Sequence, residues 1–238
     1  PFETKAIKIG YSVSIGESSL EDIRGYSKYA KDFPYVGLRE KGAKEKVEAI
    51  CGHSVVDTVD PVLLLTREDW ETFVDKSSPL AKEKYLFCYL IDKKPIKQNM
   101  AIAEQIAKER GLKIKYIWMH LEKESFRGNF INDASPVEFL NYMYHASAVM
   151  TDGYHGTVFS TIFNKPMYSV INNRQSTDSR IRDYLTLIGL ESRIFYGDAP
   201  VIPKEEIDYT EVDPKIRSAA DASKAFLQSA IDNERVVR

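Results

Sequence analysis

Short runs of β-branched and aromatic residues alternate along this chain with longer stretches whose apolar positions recur every three or four residues. That rhythm predicts βα units on mainly parallel sheets, because a parallel connection needs a crossover long enough to hold a helix. In the first part, strands are predicted at Ile7–Val13, Tyr35–Leu38 and Val55–Val59. Between them lie a helix over Leu20–Phe33, capped by Ser18 or Ser19, and one over Ala43–Cys51 stopped by Gly52. Asp60-Pro61 and Val62–Leu65 close this portion, and Thr66 with Asp69 opens a short helix, Arg67–Val74.

A charged stretch, Asp75–Lys84, reads as a linker. A fuller series follows: strand Tyr85–Ile91, helix Ile96–Arg110 ending at Gly111, strand Ile114–Met119, and a polar loop through Asn132. Ser135-Pro136-Val137-Glu138 has capping-box spacing with proline at the first helical position, so a helix runs to His145. Strand Ala148–Thr151, a helix from near His155, strand Met167–Ile171, helix Thr177–Ile188, strand Arg193–Tyr196 and a final helix Pro214–Glu234 complete the pattern. The expected fold is α/β with Rossmann-like parallel sheets in two lobes. Residues 1–75 form a partial N-terminal lobe, 76–213 a Rossmann-like lobe and 214–238 a C-terminal helix. Three strands make a small parallel sheet, and Pro1 leads almost at once into a strand. Both features create an expectation of further sequence upstream, with the N-terminal lobe incomplete.

Composition narrows the function classes. The chain has 238 residues, 43% hydrophobic and 29% charged, which suffices for one large or two modest globular domains. A formal charge of −2 argues against nucleic acid as a partner. No apolar run approaches the roughly 20 residues of a transmembrane helix. Cys51 and Cys88 match no metal or redox spacing and read as small buried hydrophobes, which suits a reducing cytosol.

The candidate chemistry sits at Asp152-Gly153-Tyr154-His155-Gly156-Thr157, between an apolar strand and an amphipathic helix. Ligands of open α/β sheets collect beyond the carboxyl ends of strands. The two glycines would permit unusual backbone angles and close ligand approach, and the helix start would offer N–H groups to an anion. His155 is the side chain here that moves a proton near neutral pH. The alternative is a tight turn with His155 as a helix cap.

Several spaced segments then share one resemblance. Asp133–Leu140, His145–Ser160 and Phe163–Met167 read like the "P-x-E-F-L" helix, Thr-Asp strand end, His-Gly turn and "N-K-P" of the polysaccharide pyruvyl transferase family. Gly37–Glu40 resembles its "V-R-E", Asp57–Leu65 its "D-P-T-L-L-L", and Ser179–Leu190 its "R-I-x-D-L-L…G-L". The order is kept from about residue 6 to about residue 196. Gly153 departs from the small polar residue usual there, and the family's longer N-terminal half has no counterpart in this chain.

The resemblance implies a GT-B-like architecture and transfer of a pyruvyl group from phosphoenolpyruvate to two hydroxyls of one sugar, giving a cyclic ketal. Phosphoenolpyruvate would be a donor substrate, with no cofactor and no metal. The acceptor would be a sugar or lipid-linked oligosaccharide, the setting the cytoplasm or the inner face of a membrane, and the pathway exopolysaccharide or surface-glycan synthesis. His155 would act as general acid or base. Asp152 would orient His155, bind a sugar hydroxyl or cap the helix. The amides around Gly156 and Thr157 would hold phosphate, and Arg39 the donor carboxylate or phosphate, unless it pairs with Glu40 or Glu45. Arg180 is preferred to Arg182 for the cleft, with a solvated helix charge as its alternative. Asn173 and Arg174 in the loop after Met167–Ile171 are placed for sugar hydroxyls. A nucleotide-sugar glycosyltransferase and a non-catalytic sugar- or anion-binding module are the competing readings, and a half-sized first lobe leaves homo-oligomer formation open.

Overall fold

The computed structural model describes residues 6–16, 18–92, 95–118, 128–171, 179–196, 202–203 and 205–237. In chain order these form β1 (Ile9–Val13), α1 (Leu20–Arg24), α2 (Ser27–Ala30), β2 (Tyr35–Leu38), α3 (Lys44–Cys51), β3 (Val56–Asp57) and α4 (Arg67–Glu71). They continue with β4 (Tyr85–Leu90), α5 (Ile96–Arg110), β5 (Lys113–Trp118), β6 (Asn129–Ile131), α6 (Pro136–His145) and β7 (Ala148–Thr151). The last are α7 (Tyr154–Ile162), β8 (Met167–Ile171), α8 (Ser179–Ile188), β9 (Ile194–Tyr196) and α9 (Tyr209–Val237). Local chemistry sets the boundaries. Ser19, Thr66 and Ser135 each form complete capping boxes with the acidic residue three positions on. Gly52 and Gly111 end α3 and α5 at positive φ, where a side chain would be strained.

The chain divides into two compact units. The smaller holds residues 1–65, α8 and nearly all of α9. Its sheet has the order β1-β2-β3, all parallel. One face packs Val36 and Leu38 on Ile23, Val47 and Ile50 from α1 and α3. The other face meets α9: Ser223 Oγ accepts from the Val59 N–H at 3.0 Å. A Cβ on Gly37 would stand 2.6 Å from Thr58 Cγ2 and 3.1 Å from the Phe226 ring, so glycine fits beneath both.

The larger unit holds residues 66–176 and 189–209. Its six strands run β6-β5-β4-β7-β8-β9, every pair parallel. This is the 3-2-1-4-5-6 order of a doubly wound Rossmann sheet. β4 lies at the centre and is covered on both sides. Leu86, Cys88 and Leu90 join the α5 core, whereas Phe87 stacks on Tyr142 of α6 and Tyr89 meets Phe139 edge-on.

The expected fold class holds: parallel α/β sheets with helices on their faces. Four details differ. Leu20–Phe33 is two short helices, parted at Gly25 and Tyr26. Asn129–Ile131, expected as loop, adds a short edge strand beside β5. The units part after residue 65 instead of 75, since Trp70 of α4 packs edge-on against Phe159 of the larger unit. The terminal helix is no separate element; α8 and α9 belong to the first unit.

Candidate active site

β4 is where the chain order reverses: β5 and β6 extend to one side, β7, β8 and β9 to the other. Ligands of doubly wound sheets bind beyond the carboxyl ends of the two strands at such a switch point. Here those ends are Leu90 of β4 and Thr151 of β7. Asp152-Gly153-Tyr154-His155-Gly156 stands at this point.

Asp152 ties the two strand ends together. One carboxylate oxygen accepts from the Ile91 N–H at 2.7 Å; the other accepts from Asp92 N–H at 3.3 Å and Asn99 Nδ2 at 3.0 Å. The side chain is buried, and that desolvation pushes its pKa up to about 7, against the lowering effect of the Ile91 N–H. Of the roles expected of Asp152, capping the helix is the one the structure overturns. Its oxygens are committed to the β4 end and α5, and the N-cap of α7 is Gly153, which carries no side-chain cap. Asn99 is the partner that sequence reasoning missed. It falls three residues after Ile96 on the buried stripe of α5, and an amide on an apolar stripe signals a buried polar partner.

The glycines also act differently from expectation. Neither Gly153 nor Gly156 has positive φ. A Cβ on Gly153 would stand 2.4 Å from Ile91 Cδ1, and one on Gly156 would stand 2.2 Å from Thr151 Oγ1. They are glycines because α7 starts hard against the strand ends. Thr151 completes the joint: its hydroxyl donates to Tyr89 O at 2.7 Å and accepts from Gly153 N–H at 3.0 Å. Gly156→Ala is expected to destabilise the fold by about 1–3 kcal/mol through overpacking. A thermal melt checks it, and an unchanged midpoint would mean that the turn has slack.

Thr157 is a correction as well. Its N–H donates to Gly153 O at 3.1 Å, and its buried hydroxyl bonds to Gly153 O and Ser169 Oγ. Nothing of it is offered to phosphate. Of the two amides expected to hold phosphate, that of Gly156 lies before this first bond of the helix, on the opening turn of α7. His155 itself is exposed, with its ring edge-on to Tyr154 at 5.4 Å. The sequence expectation placed it beside the helix start, and there it stands.

The remaining predicted residues lie in the smaller unit or outside the described residues. Arg39, just past β2, pairs through Nη1 with Asp60 Oδ2 at 2.5 Å, not with Glu40 or Glu45. Asp60 also caps the turn at Pro61 by accepting from Val62 N–H at 3.1 Å. Arg180 is half-buried on α8, whose apolar face is Ile181, Tyr184, Leu185 and Ile188 as the periodicity requires. Asp183, on the same helix, accepts from Lys41 N–H at 3.1 Å. Asn173 and Arg174 fall outside the described residues. Among the described residues, no three His, Cys, Asp or Glu side chains group as metal ligands, and no helix is long and apolar enough to cross a membrane.

The family model described as polysaccharide pyruvyl transferase matches residues 2–174. The chain belongs to the polysaccharide pyruvyl transferase family. No curated protein matches it. Among solved structures, this pyruvyl transferase family member is similar to UDP-N-acetylglucosamine 2-epimerase from Rickettsia bellii. The identity is 12% and the TM-score 0.62, over 96% of this chain and 67% of that one. It is also similar to UDP-GlcNAc 2-epimerase from Methanocaldococcus jannaschii in complex with UDP-GlcNAc and UDP, at 11% identity and TM-score 0.52, over 90% of this chain and 62% of that one. At such identities the likeness shows the fold, which is GT-B-like. The family member spans roughly three fifths to two thirds of the length of these two structures.

Proposed function

We propose that this chain serves the transfer of a pyruvyl group from phosphoenolpyruvate to two hydroxyls of one sugar, forming a cyclic ketal and releasing phosphate. The observation that carries the reading is His155: an exposed imidazole on the first turn of a helix, at the switch point of a Rossmann sheet, in a member of this family. The reaction balances without redox chemistry. The vinyl CH2 of the donor gains one proton and becomes CH3, two sugar O–H bonds break, two C–O bonds form at the neighbouring carbon, and phosphate departs with the second proton. His155 is suited to deliver the proton to the CH2 carbon or to the departing phosphate. The Gly156 N–H, on the opening turn of α7, is suited to the phosphate, since a helix start favours anions. Arg39 is proposed for the donor carboxylate or phosphate and Arg180 for substrate, with Asn173 and Arg174 proposed for sugar hydroxyls. A sugar or lipid-linked oligosaccharide in the cytoplasm or at the inner membrane face is the proposed acceptor.

Arg39 carries a constraint of its own. Its pairing with buried Asp60 means that Arg39→Ala leaves a carboxylate without its counter-charge, so a loss of activity there mixes binding with folding. Arg39→Lys keeps the charge and drops the fork geometry, and is expected to raise the donor KM about tenfold or more with little change in melting temperature. An unchanged KM would leave Arg39 as a structural ion pair.

The deciding experiment compares donors. Phosphoenolpyruvate is expected to release phosphate only when a sugar acceptor is present. Release of UDP from UDP-GlcNAc, with phosphoenolpyruvate inert, would replace this reading with the nucleotide-sugar one, which the GT-B-like fold also accommodates.

A further inference from the structure

Glu40, one residue past Arg39, is used by neither the turn at His155 nor the Arg39–Asp60 pair. It is 1% exposed. Its Oε1 accepts from the Ser14 hydroxyl, while Oε2 is sealed from solvent with no hydrogen-bond partner among the described residues. Ser12 is unusual too. Its φ is +52°, at the place where the pairing of β1 with β2 slips between Gly10 and Val13, and its buried hydroxyl likewise has no partner. A serine held left-handed and a buried carboxylate oxygen left unpaired are each unfavourable. Such features concentrate where a fold prepares for a ligand. Both lie at the carboxyl end of the same parallel strand pair, where Arg39 N–H bonds Val13 O at 2.9 Å and holds the two segments side by side.

We propose that Glu40, with Ser12 and Ser14, forms a subsite for the hydroxyls of a sugar. The chemistry of the unpaired atoms selects that ligand. Oε2 needs a donor, and Ser12 Oγ both donates and accepts. A sugar hydroxyl meets both needs, whereas an ammonium only donates. A divalent cation wants several hard oxygen ligands, and no group of three such side chains occurs among the described residues. Ser14 is exposed and its hydroxyl donates to Oε1, which leaves Oε2 for the ligand hydroxyl.

The purpose of this subsite rests on the pyruvyl-transfer reading, whose second substrate is a sugar diol; its existence is tested separately. Saturation-transfer NMR with methyl β-D-galactopyranoside, methyl β-D-glucopyranoside and methyl β-D-mannopyranoside reports binding to the chain without any turnover. At least one glycoside is expected to bind the wild type, with affinity at least tenfold weaker in Glu40→Gln and phosphoenolpyruvate binding unmoved. Ser12→Gly relieves the left-handed backbone and removes the hydroxyl, so it is expected to keep the melting temperature and weaken the glycoside at least threefold. No binding by the wild type, or equal binding by both variants, overturns the subsite and leaves its polar atoms to a structural water. If glycoside binding depends on Glu40 while phosphoenolpyruvate releases no phosphate, the subsite stands and the reaction falls. If phosphate is released with an unchanged acceptor KM in Glu40→Gln, the reverse holds.

Discussion

His155→Ala is expected to lower turnover on phosphoenolpyruvate by about 10²–10⁴-fold, the range for loss of a general acid or base, while the melting temperature stays at the wild-type value. The second half of that expectation comes from position. The imidazole is exposed on the first turn of α7, whereas the bonds that fix the turn run through Thr151, Asp152 and Gly153. Steady-state kinetics beside a thermal melt reads both. A variant with wild-type turnover would remove His155 from the chemistry. A variant that melts early would show that the ring supports the fold, and its activity would then carry no message about proton transfer.

The second large effect falls on Asp152, and it is one of stability. Asp152→Ala removes the common acceptor of Ile91 N–H, Asp92 N–H and Asn99 Nδ2, and the buried Asn99 amide left unpaired alone costs about 1–3 kcal/mol. Asp152→Asn keeps the shape and takes away the charge. Burial raises the carboxyl from 3.8 to about 7. The folded state thus holds a proton that the unfolded chain has already released, and stability declines as pH rises from about 4 through 7. Urea midpoints across that window are expected to fall for the wild type and to stay level for Asp152→Asn. Parallel curves for the two proteins would show that the carboxyl titrates as it does in water.

Which of these features could be read from the chain alone depends on the range of the interaction behind them. Ser135, Gly52 and Gly111 announced helix limits correctly because capping is settled within four residues. Tyr35–Leu38, Ala148–Thr151 and Met167–Ile171 were legible as strands because both faces of each are covered. The edge strand Asn129–Ile131 was not, since three residues carry no period and Asn129 and Phe130 stay exposed. At the site, the chain told where the imidazole would be. It did not tell why the glycines flank it, because their reasons, Ile91 and Thr151, are contacts with a strand end. Nor did it tell that Asp152 faces inward. That depends on the neighbouring strand lying 61 residues earlier in the chain.

The first unit draws its residues from three separated stretches. During synthesis Gly37 and Val59 wait for Phe226 and Ser223, which leave the ribosome more than 160 residues after them. A chain halted before residue 210 leaves the Val59 N–H without Ser223 and Gly37 without Phe226. The sheet of this unit is therefore complete only once α9 has been made.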